Sequence, residues 1–106
     1  DRVHQIVVGG RPVAVEGIVG GHDRMVRNYK DICKKFHCKV KVFTHMTTQM
    51  SSQIGKPDLM ILFTNTVSHK MIHCAVTEAG KNNTDIVRCH TSSGTALEGI
   101  LRQACS

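Results

Sequence analysis

The hydrophobic pattern of this chain changes period along its length, and those changes mark out the elements. Leu59-Met60-Ile61-Leu62-Phe63 is an unbroken apolar run, the signature of a strand buried on both faces, and it makes Asp58–Phe63 a central strand. Ala14–Val19 reads as a strand before it and Asp85–Cys89 as one after it. Lys39–Thr44 alternates apolar and basic residues, which predicts an edge strand. Between these runs the period lengthens. Val26, Tyr29, Ile32, Cys33 and Phe36 fall at helical spacing and predict a helix from Met25 to Phe36. Asp23 stands where an N-cap is wanted, and His37 tolerates the left-handed backbone that ends a helix. A second helix is expected from Val67 to Ala79, closed by Gly80, and a third from Thr95 to about Ala104. Residues 46–57 are polar with a few apolar points, a loop with one irregular helical turn, long enough to act as a lid.

Four strands alternating with helices imply an α/β fold with a parallel, doubly wound sheet. The expected strand order is 2-1-3-4, flavodoxin-like, with its switch point between strands one and three. Residues 1–12 read as an N-terminal strand or arm, and residues 13–106 as a single α/β domain. Residues 3–8 can form a short strand and Gly9-Gly10-Arg11-Pro12 a turn. That piece suits a hairpin partner, an edge strand or an arm exchanged with another subunit, and Pro12 excludes a central ladder position. An exposed sheet edge needs cover, so a homodimer is expected.

Composition narrows the classes. A chain of 106 residues has room for one core. No run of about 18 apolar residues and no signal peptide is visible, so no membrane span is expected, and the cysteines below favour the cytoplasm. The five cysteines include no CxxC pair, so reduced thiols are expected rather than a zinc finger or disulfide framework. The net charge of +6 favours anionic partners, with much of it on one helix as Arg24, Arg27, Lys30, Lys34 and Lys35. A solvated face is the plainer reading of that helix, and a nucleic-acid face the other. Aromatic content of 4% without tryptophan leaves few stacking platforms for single strands.

The candidate chemistry gathers at the carboxyl ends of the strands. His22 follows strand one, His45 strand two, His69 and His73 strand three, and His90 strand four. Neutral imidazole ligates metals and serves as an axial ligand of haem iron. Zinc or non-haem iron wants three or four ligands, and His69 and His73 at i, i+4 supply a close pair. Haem needs one or two axial residues and an apolar slot, for which Met25, Met46, Met50, Met60 and Met71 are available. A methionine at helical spacing is equally an ordinary core residue. An anion reading also stands. Gly20-Gly21 and Ser92-Ser93-Gly94 precede helix starts, where free N–H groups can cradle phosphate, with Arg24, Lys70 and Arg88 adding charge. Neither a G-x-G-x-x-G nor a P-loop is present, and Ser92 or Thr95 could simply be caps. No Ser-His-Asp order or nucleophile elbow appears, so an enzyme is not expected.

Val19-Gly20-Gly21, Tyr29, His45, Val67-Ser68-His69, and Arg88 followed by Ser92-Ser93-Gly94 together resemble the bacterial family DUF2325, from about Val13 to the end. The resemblance implies a small flavodoxin-like domain, some of whose relatives look like b-type haem proteins that bind oxygen. It implies His69 as first choice of axial ligand and His45 as a second rim residue, with Arg88, Ser92 and Ser93 (Ser68 and Gly94 beside them) as pocket or propionate contacts. The chain departs from the family pattern at Phe36-His37, where a glycine helix stop is usual. It also departs at Met46, where an acidic residue often follows the histidine, and that puts His45's role in question. The expected function is therefore a haem-binding protein for a diatomic gas, oxygen first. A histidine-ligated metal site and a phospholigand- or nucleic-acid-binding regulatory module are the alternatives.

Overall fold

The computed structural model describes residues 6–8 and 11–104. It opens with a hairpin, β1 (Ile6–Val8) and β2 (Arg11–Val13), paired antiparallel with Val7 opposite Pro12. The hairpin is a two-stranded sheet separate from the main one, where a proline interrupts no central ladder. Arg11 and Pro12, expected in a turn, belong to β2 instead and pair with Val8 and Val7. Residues 3–5 lie outside the described residues.

The main sheet is parallel and runs in the order β4-β3-β5-β6, formed by β3 (Val15–Val19), β4 (Lys39–Phe43), β5 (Leu59–Phe63) and β6 (Asp85–Cys89). This is the expected 2-1-3-4 order, with the switch between β3 and β5. Every residue of β5 is buried, as an apolar run between two helical layers requires. On one face α1 (Val26–Lys35) and α4 (Gly94–Ala104) cover a cluster that includes Ile18, Tyr29, Cys33, Ile61, Phe63, Leu97 and Leu101. On the other, α2 (Met50–Ile54) and α3 (His69–Asn82) cover Val19, Met60, Leu62, Met71, Ala75 and Ala79. Within the described residues no helix is long and apolar enough to cross a membrane.

Several boundaries differ from expectation for local reasons. Asp23 is not an N-cap: it lies inside a 3-10 turn (Asp23–Met25) that precedes α1, and His22 occupies the cap position without a side-chain cap bond. His37 does end α1, at φ 57°. The Cys38 N–H reaches the Cys33 carbonyl and the His37 N–H the Lys34 carbonyl, the paired bonds of a Schellman stop made without glycine. Gly80 does not close α3. The helix runs on to Asn82, and Asn83 ends it in the left-handed region at φ 53°. Residues 46–57 are less free than a lid, because Met50 and Ile54 of α2 are fully buried and pin the segment to the core. Glu16 is buried as well, on β3 between Val40 and Leu59, in the amino half of the sheet away from the strand ends.

Candidate functional site

The carboxyl edge of the sheet is a rim stitched together by backbone and hydroxyl groups. Gly20 and Gly21 leave β3 with φ of 102° and 88°, a conformation that side chains other than glycine rarely adopt. The Gly20 N–H continues the ladder to the Phe43 carbonyl at 2.8 Å. The Gly21 N–H donates to Thr66 Oγ1 at 2.6 Å, joining the β3 and β5 loops across the switch point. Tyr29 comes up from α1 against Gly21, so that a Cβ there would stand 2.7 Å from its ring and hydroxyl. Its hydroxyl donates to the Ser92 carbonyl at 2.6 Å, and its ring lies 5.4 Å from that of Phe63. Burial pushes the Tyr29 hydroxyl above its ordinary pKa, so it stays a donor. One aromatic residue thus ties the β3 and β6 loops to the end of β5.

On this frame the structure places His22, His45, His69, His73 and His90, all exposed. His73 therefore does not enter the helix–sheet interface. His45 Nε2 lies 2.8 Å from Asp23 Oδ2, and the Thr44 hydroxyl donates to the other carboxylate oxygen. Those two bonds, Thr44's the larger, hold the Asp23 carboxyl below the usual carboxylate range. The pair is solvent-exposed, so it orients the ring more than it stabilises the fold. His69 opens α3, directly after Ser68, whose hydroxyl caps the helix by accepting from the Met71 N–H at 3.3 Å. Among the described residues no hydrogen bond or ion pair engages the His69 ring. Nor do any three His, Cys, Asp or Glu side chains among them gather into a group that could hold a metal ion.

The remaining candidates divide by what they already do. Ser92 is buried, and its carbonyl is taken by Tyr29. Ser93, not Ser92 or Thr95, caps α4, accepting from the Ala96 N–H at 3.1 Å just before Gly94 starts the helix. Arg24 and Arg88 are exposed. Of the methionines, Met50, Met60 and Met71 fill the α2–α3 side of the core, and Met25 is half-buried against the other side. Met46, beside His45 on the rim, is 44% exposed and is one of two large apolar side chains left so among the described residues. The tie through Tyr29, the Thr66 hydroxyl and the Asp23–Thr44–His45 contact escaped sequence reasoning, because each joins residues at least 21 positions apart.

No curated protein and no solved structure matches the chain. A family model described as an uncharacterized protein conserved in bacteria, DUF2325, matches residues 17–104, which takes in the whole rim. The chain belongs to that family.

Proposed function

We propose that this domain binds haem at the rim, with His69 as axial ligand, and through it a diatomic gas, oxygen first. The observation that carries the reading is the unengaged, exposed imidazole of His69 on a rim where three-ligand clusters are absent among the described residues. A haem asks for one imidazole; zinc or non-haem iron asks for three or four ligands held together. The exposed Met46 and the half-buried Val67 offer apolar surface at the same edge, and Arg88 and Arg24 offer cations for the propionates. Bound there, haem would supply the iron that takes the gas. The chain's part is to present the ligand nitrogen and pair the carboxylates. Resemblance to relatives that look like oxygen-binding haem proteins adds to the same reading.

A phosphate-binding rim fits less well, because two of its donors are spent internally: Gly21 N–H on Thr66 and Ala96 N–H on Ser93. A homodimer belongs to the proposal. Lys39 and Lys41 discourage strand addition at β4, so β6 is the edge on which a second copy would pair. Sedimentation of the purified protein tests that state.

The test of the haem reading is an absorption spectrum of the chain reconstituted with haem, repeated on His69→Ala and His45→Ala. A Soret band that shifts under oxygen and is altered by His69→Ala alone supports the assignment. A band altered by His45→Ala instead keeps haem and moves the ligand. Stoichiometric metal without a Soret band, or no binding of either, overturns the proposal.

A further inference from the structure

The charge of the chain is not spread over its surface. Between residues 24 and 41 there are seven Lys or Arg and one acidic residue, Asp31, a net +6. The whole chain carries 14 Lys or Arg and 8 Asp or Glu, also +6, so everything outside this one segment sums to zero. The segment runs from Arg24 in the 3-10 turn through α1 to Lys41 in β4; with Asp23, the first residue of that turn, the turn, helix and strand together carry +5. Arg27, Lys30 and Lys34 lie along the outer face of α1, opposite the buried Tyr29, Ile32 and Cys33, over a rise of about 10 Å. Lys35 lies toward α4, in the groove shared with Asn28, Thr95 and Glu98. Lys39 and Lys41 alternate with Val40 and Val42, which face α1, so the two lysines emerge on the other side of the sheet edge. Lys41 Nζ lies 3.2 Å from the Gln53 carbonyl of α2, which confirms that direction. The cations thus form a belt that runs down α1 and round the β4 edge.

Protection of an edge strand accounts for Lys39 and Lys41, but not for the row on α1, which is no sheet edge. The belt also lacks what a protein interface needs. Its aromatic residues, Tyr29, Phe36 and Phe43, are buried or half-buried, and neither exposed large apolar residue, Met46 or Val76, lies on it. A surface rich in cations and without exposed rings suits a stiff array of phosphates better than a single strand, which is held by stacking.

We propose that the α1–β4 belt binds double-stranded nucleic acid through its phosphate backbone, without reading sequence. The row on α1 and the β4 edge lie apart from the His69 site, Arg24 at the end of the belt being the cation named for both, and the inference does not depend on haem.

The test is fluorescence anisotropy of a labelled DNA duplex of arbitrary sequence with the full chain, between 50 and 200 mM salt. If about five phosphates are engaged, the logarithmic salt slope is near −4.5 and affinity falls by about 500-fold across that range. The double variant Lys30→Gln/Lys34→Gln, both sites exposed and Gln a good helix former, should flatten the slope by about 1.8. Lys81→Gln, near the far end of α3 across the sheet, removes a charge away from the belt and should leave the slope unchanged. The proposal is overturned by binding that is absent or indifferent to salt. It is also overturned if the α3 variant weakens binding as much as the α1 variant, or if anionic lipid vesicles bind the belt more tightly than the duplex does.

Discussion

Replacing Gly21 by alanine tests whether the rim is built around Tyr29. Three costs add at that position. An L-residue at φ 88° gives up about 1–2 kcal/mol in backbone sterics. The new methyl would stand 2.7 Å from both Cε2 and the hydroxyl of a fully buried tyrosine, and displacing such a ring costs about 1–3 kcal/mol. If the ring moves, its bond to the Ser92 carbonyl goes too, worth about 0.5–1.5 kcal/mol. The sum is about 2.5–6.5 kcal/mol, a large part of the 5–15 kcal/mol typical of a domain. Urea unfolding followed by circular dichroism measures it. At a slope of about 1.5 kcal/mol per molar urea, the midpoint falls by about 1.7–4.3 M. Gly80→Ala is the internal control, since Gly80 sits inside α3 with open space around it and no positive φ. That change should raise stability by about 0.5–1 kcal/mol. A Gly21→Ala loss under about 1 kcal/mol, or a Gly80→Ala loss of similar size, would refute the reasoning.

Two further substitutions separate the parts of the rim. Tyr29→Phe keeps the ring against Phe63 but strips the donor from a buried carbonyl, and thermal or urea unfolding should show a loss of about 1–2 kcal/mol. Ser68→Ala removes the α3 cap and should cost about 1 kcal/mol, with Ser68→Asp restoring most of it; equal stability of all three would mean that the cap does not hold His69 in place.

How much of this was legible depended on range. The apolar run of β5, the basic alternation of β4 and the helical spacing of Tyr29, Ile32 and Cys33 are local signals, and they led to the correct strand order. The errors were at ends. Gly80 looks like a stop, but Asn82 holds the last turn from inside, donating to the Glu78 and Gly55 carbonyls, and Asn83 supplies the left-handed residue. Asp23 looks like a cap, but its carboxylate is drawn off to Thr44 and His45. A tertiary partner outbid the local role in each case, and single-sequence periodicity carries no information about such partners. For the site, the sequence brought the histidines to one edge because the topology sends every strand end there. It did not say that His45 would be tied to Asp23 while the His69 ring, at the start of α3, is left without a bond among the described residues.

The contact between Asp23 and His45 answers the question raised by Met46. An acidic residue next to the histidine would fix its tautomer; here a carboxylate from the β3–α1 loop takes that place. Accepting from Nε2–H, Asp23 leaves Nδ1 as the lone-pair nitrogen of neutral His45, so His45 would ligate through Nδ1, whereas His69 is bound to neither choice. The sign of the pH dependence follows from the lowered Asp23 pKa. Whatever the ion contributes is present above the unfolded carboxylate range and is lost as pH falls through the depressed folded value. Carboxyl NMR should place the Asp23 titration below that of an ordinary aspartate. Thr44→Val and His45→Gln should each raise it, since each removes a bond that holds the carboxyl down. In Asp23→Asn, the His45 ring nitrogens should relax to a mixture of tautomers. If Asp23 titrates normally in the unaltered chain, or His45 keeps one tautomer without it, the orienting role fails and His45 loses its claim to be a pre-set ligand.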